Sequence, residues 1–106
     1  MSTDEKIALL QEFKTVKWFD AEHWDDREIE ISEELIVRGM YIEVKAFIHF
    51  LMHELREEAT NLENKIEAYF KEWDNELYNQ DETEFIVDVC YKAMQIAGIK
   101  IDDLLI

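Results

Sequence analysis

His49 and His53 stand four residues apart, a spacing that brings two imidazoles to one face of a helix, within reach of a single metal ion. A metal needs more ligands than that, with Glu54 or an acid from another helix as the nearest supply. A zinc-protease helix places glutamate directly after its first histidine, whereas this chain reads His49-Phe50-Leu51-Met52-His53. Di-iron bundles use Glu-x-x-His, and no glutamate stands three residues before His23, His49 or His53. The two histidines therefore read as part of a polar stripe, and neither a metal nor a cofactor is expected. Arg38, Lys45, His49 and Arg56 fall close together on that stripe with His53 beside them. We read it as cations paired with carboxylates of a neighbouring helix; the alternative is a basic ridge that grips an acidic ligand.

Nucleophilic chemistry finds no better footing. Cys90 is the single cysteine and falls on an apolar helical face with Phe85, Ile86, Val89 and Met94, where cysteine behaves as a small buried hydrophobe. Glycine-rich phosphate loops, Gly-x-Ser-x-Gly turns and Cys-x-x-Cys pairs are missing from the sequence. No enzyme is expected, although a metal-dependent helical-bundle enzyme stays as a distant alternative.

The acids carry the stronger signal, through where they stand. The chain holds 26 acids against 11 bases, for a net charge of −15. Residues 18–34 carry Asp20, Glu22, Asp25, Asp26, Glu28, Glu30, Glu33 and Glu34 against Arg27, and residues 72–84 carry Glu72, Asp74, Glu76, Asp81, Glu82 and Glu84 with no base. Outside these two stretches the charge is nearly balanced, and solubility alone does not require such concentration. An acidic chain repels nucleic acid and anionic membranes but attracts a basic protein and speeds the encounter. Acids one helical turn apart are about 5–6 Å from each other, so rows of them can imitate nucleic-acid phosphates.

Both stretches also hold aromatics. Trp18, Phe19 and Trp73 are read as core, and Trp24, between His23 and the Asp25-Asp26 pair, as an exposed anchor of the kind found at interface hot spots. The expected function is thus an acidic inhibitor, an immunity protein or a phage-type nucleic-acid mimic, that blocks the basic cleft of a toxin or nuclease. Its partner surface is the fourteen carboxylates named above with Trp24. The alternative is a helical homodimer that pairs surplus apolar residues of the 40–55 segment.

The elements that must position these residues read as helices throughout. The chain is 106 residues long, has no proline and only two glycines, and shows no linker or repeat, which predicts one all-α domain over residues 1–106. Ser2 with Glu5 fits a capping box, followed by a helix near 3–15 with an Ile7, Leu10, Phe13 and Val16 stripe. Residues 17–32 read as irregular or extended, with Glu28-Ile29-Glu30-Ile31 alternating as a strand does and Ser32 capping the next helix.

That helix, 33–59, carries a broad apolar arc from Val37 to Ala59. Gly39 inside it costs about 1 kcal/mol relative to alanine, which implies close helix contact or a later helix start. Thr60 with Glu63 caps a helix to about residue 78, lined by Leu62, Ile66, Tyr69, Phe70, Trp73 and Leu77. Asp81 with Glu84 caps a last helix that Gly98 ends in a left-handed turn. The sum is a small antiparallel bundle of about four helices, with room for a two-strand pairing of residues 28–31 and 99–101. No apolar run is long enough to span a membrane. The acids in MSTDEK, where a secretory signal would be basic, and the unpaired cysteine predict a cytoplasmic protein.

Overall fold

From Glu34 to Arg56 the chain forms one unbroken helix that supplies the centre of the hydrophobic core. The computed structural model describes residues 2–99. They form α1 (Thr3–Phe13), α2 (Ala21–Asp26), α3 (Glu34–Arg56), α4 (Leu62–Glu72) and α5 (Gln80–Ile96). The fold is an all-α bundle in which 69% of the described residues are helical, about twice the usual globular share, and the described residues include no strand.

The apolar arc of α3 faces inward, burying Met40, Val44, Phe47, Ile48, Leu51 and Met52. These meet Leu10 of α1, Ile66 and Phe70 of α4, and Phe85, Ile86, Val89, Cys90, Ala93 and Met94 of α5 in one hydrophobic cluster. Fully burying each large side chain stabilises the fold by about 1.5–3 kcal/mol. Phe47 anchors α4, with its ring centroid 5.3 Å from Tyr69 and 5.1 Å from Phe70.

Helix ends explain where the sequence-based boundaries shift. The capping box at Ser2 and Glu5 forms, with the Glu5 amide donating to Ser2 Oγ. Gly98 adopts φ +75°, the Gly98 amide bonds Gln95 O and the Ile99 amide bonds Met94 O, which together make a Schellman cap. The same cap closes α2 and α3, but with glutamates in the left-handed position. Glu28 (φ 59°) bonds back to Asp25 while Ile29 bonds Trp24, and Glu58 (φ 51°) bonds Leu55 while Ala59 bonds Glu54.

Four expectations need correction. Residues 17–32 contain the short helix α2, and residues 28–31 are a turn and an irregular joint without a strand partner among the described residues. Ile99 belongs to the α5 cap, and residues 100 and 101 of the expected pairing lie outside the described residues. The Thr60–Glu63 box does not form, because Asn61 takes a left-handed conformation as N-cap with no side-chain bond. The helix expected to reach residue 78 stops at Glu72, because Asp74 Oδ1 accepts from the Glu76 amide at 3.1 Å and so offers the backbone a turn in place of the helical bond. Leu77 is consequently 65% exposed.

Candidate functional site: an acidic face built from two distant stretches

The N-terminus of α5 begins two residues earlier than the Asp81–Glu84 pairing predicts. Asn79 Oδ1 accepts from the Glu82 amide and Glu82 Oε1 accepts from the Asn79 amide, both at 2.8 Å. The second carboxylate oxygen of Glu82 accepts the hydroxyl hydrogen of Ser32, which therefore does not cap α3; Glu33 occupies that N-cap without a side-chain bond. Glu82 is 6% exposed, so the bond from Ser32 is a charge-assisted one in a partly buried setting.

This bond brings the two acidic stretches together. Glu30, Ile31 and Ser32 line one cavity of about 410 Å³ with Asn79, Asp81 and Glu82. Asn79 also borders a larger open groove of about 600 Å³ that carries Glu76, Glu84 and Asp88. Neither space is lined by a lysine, arginine or histidine. Arg27 closes the far edge, donating to Asp88 at 2.7 Å with its guanidinium 4.5 Å above the Phe85 ring.

The joint between α4 and α5 is held onto α3 by two aromatics. Trp73 donates its indole hydrogen to Glu43, and the Tyr78 ring stacks on Trp73 with centroids 6.4 Å apart. One turn before Glu43, a Cβ on Gly39 would lie 2.7 Å from the Tyr78 hydroxyl. Gly39 thus sits inside a continuous helix, and what comes close to it is a side chain of the α4–α5 joint where a neighbouring helix was expected. Burial, with the carboxylates of Glu43 and Glu82 adding to it, pushes the Tyr78 phenol up to about 12.

Of the residues expected to meet a partner, all the carboxylates except Glu82 are exposed: Asp20, Glu22, Asp25, Asp26, Glu28, Glu30, Glu33, Glu34, Glu72, Asp74, Glu76, Asp81 and Glu84. Asp20 accepts from the Tyr41 hydroxyl at 3.1 Å, Glu34 pairs with Arg38 at 2.7 Å and Glu84 accepts from Gln80 at 3.1 Å. Glu82 is corrected to a capping and tethering residue.

Trp24 is corrected as well. It is 1% exposed, donates its indole hydrogen to Phe19 O at 3.0 Å and meets Phe85 edge-on at 5.1 Å. Because α2 forms, it directs Trp24 inward while Asp25 and Asp26 stay in solvent. Trp18 and Phe19 are core, as read, and Trp73 packs against the core half-buried.

The apolar group on this face that sequence reasoning passed over is Ile31. Regular alternation would put Ile29 and Ile31 on one side, yet Ile29 packs on the core and Ile31 is 54% exposed at the cavity between the two stretches. Its signal was a large apolar side chain among acids, outside any helical stripe.

The remaining candidates stay apart from this face. Among the described residues no group of three or more His, Cys, Asp or Glu is placed to hold a metal ion, and His49 and His53 are exposed on α3. Cys90 is buried, which drives its thiol pKa upward and disfavours the nucleophilic thiolate. No described helix is long and apolar enough to cross a membrane. The sequence matches no protein-family model, and neither a curated protein nor a solved structure resembles it significantly.

Proposed function

We propose that the protein is an acidic inhibitor that binds a basic protein and occludes its nucleic-acid cleft, as an immunity protein does for a nuclease toxin or a phage-type decoy does for a host nuclease. The observation that supports this most is the meeting of residues 30–32 with residues 79–82 at one hollow, next to a second that carries Glu76, Glu84 and Asp88, neither of them lined by a cation, with Ile31 exposed at the junction. Carboxylates arranged this way steer a basic partner and reject nucleic acid, while an apolar side chain amid them supplies the desolvated contact that slows dissociation. No chemistry is required of the inhibitor. The mechanism is occupation of a cleft.

The homodimer alternative has less to draw on, because between residues 40 and 55 Ile42 is the only large apolar residue left exposed. Affinity capture from host lysate tests the inhibitor reading. We expect a basic nucleic-acid enzyme to be retained at low salt, displaced by added DNA, and lost when Asp25, Glu28, Glu30 and Asp81 are neutralised together. Retention of a partner that DNA does not displace contradicts cleft occupation.

A further inference from the structure

We propose that a second surface, of opposite charge, docks a short acidic peptide segment bearing apolar side chains. The α1–α2 joint and the outer face of α3 enclose an open groove of about 530 Å³ into which Lys14, Lys17, Arg38 and Lys45 converge, and no carboxylate lines it. On a chain with 11 bases and a net charge of −15, four cations in one groove is a marked segregation. For Arg38 and Lys45, the two of these that belong to the polar stripe of α3, the expected pairing with carboxylates of a neighbouring helix does not hold. Arg38 pairs with Glu34 of its own helix, both ends largely exposed, and among the described residues Lys14, Lys17 and Lys45 make no ion pair. Lys45 instead extends toward the Tyr41 ring, 6.0 Å from its centroid.

The floor of the groove tells what else the ligand carries. Val16 is 44% and Ile42 65% exposed there, so cations surround apolar surface that water now covers. A simple anion would use the charges and leave that surface wet. A peptide with alternating acids and aliphatic side chains uses both.

The groove is also bounded. Tyr41, which lines it, holds Asp20 of the first acidic stretch at its edge. At physiological salt, charges act over about 8 Å, so the groove's potential stays local while a longer polyanion meets the acidic stretch next to it. That geometry favours a short segment over nucleic acid or an anionic membrane. The inference stands independently of the basic partner proposed above, since it concerns a different surface and a partner of opposite sign.

Fluorescence polarisation with a labelled peptide of sequence EELLEEIL tests it. We expect saturable one-to-one binding, weakened at least about tenfold by Lys17→Glu with Lys45→Glu and about threefold or more by Ile42→Ser. Lys71→Glu, at an exposed position of α4 outside the groove, should leave affinity unchanged, and all variants should melt with the parent. Absence of saturable binding, equal weakening by Lys71→Glu, or tighter binding of a single-stranded oligonucleotide would each overturn the proposal. So would concentration-dependent self-association abolished by the same double substitution, which would assign the groove to a second copy.

Discussion

Ser32 donates its hydroxyl hydrogen to Glu82, a residue fifty positions further along the chain, and this bond ties the entry of α3 to the start of α5. Through it the two acidic stretches become one face. Glu82 makes three bonds to two residues, accepting from Ser32 and the Asn79 amide while its own amide donates to the Asn79 side chain. Glu82→Ala should therefore cost about 1–3 kcal/mol, since it removes a reciprocal cap and leaves a partly buried hydroxyl without its acceptor. Denaturant unfolding of Glu82→Ala, Ser32→Ala and the double variant should reveal a coupling of about 0.5–3 kcal/mol. Strict additivity would mean that the tether contributes nothing.

Trp24→Ala should destabilise the protein by about 3–5 kcal/mol, the range for removing a fully buried large aromatic ring. Ile31→Ala, at an exposed site, should change stability by less than about 0.5 kcal/mol. Thermal melts of both variants separate the core ring from the surface aliphatic side chain.

Gly39→Ala presents a sign reversal. In the parent chain the added methyl meets the Tyr78 hydroxyl at 2.7 Å, so the substitution should destabilise despite alanine's better helix propensity. With Tyr78→Phe the hydroxyl is gone and the nearest ring carbon lies at 3.6 Å, an ordinary contact. There Gly39→Ala should stabilise by up to about 1 kcal/mol. Melting temperatures of the four proteins check the reversal.

Alkaline pH should loosen the aromatic joint. Burial raises the phenols of Tyr69 and Tyr78 from 10.0 to about 12 in the folded chain. A folded pKa above the unfolded one means the contribution to stability is complete below pH 10 and disappears as pH rises through about 12. Phenolate absorbance followed against pH should show Tyr69 and Tyr78 titrating late, in step with falling stability. Early titration of both in the folded protein would show that the rings are solvated.

Much of this architecture is legible in the sequence because it rests on local rules. The arc of α3, the Ser2 cap and the Gly98 stop each follow from residue types at fixed spacing. The ends of α2 and α3 were hidden for a physical reason: their left-handed caps are occupied by Glu28 and Glu58, where the local steric penalty points to glycine and tertiary packing overrides it. Misplacing the end at Glu28 also concealed α2, and with it the burial of Trp24. The clustering of acids could be read from the chain. Their meeting could not, because it depends on one side-chain bond across fifty residues.

The central claim, that this joined acidic face docks a basic protein, is tested most directly by surface plasmon resonance on the captured partner. Asp25→Asn, Glu28→Gln, Glu30→Gln and Asp81→Asn together should slow association and flatten its dependence on salt, with the melting temperature unchanged, because charges at an interface rim act mainly on encounter. Ile31→Ala should chiefly speed dissociation. Association rates that match the parent at both low and physiological salt would contradict the account.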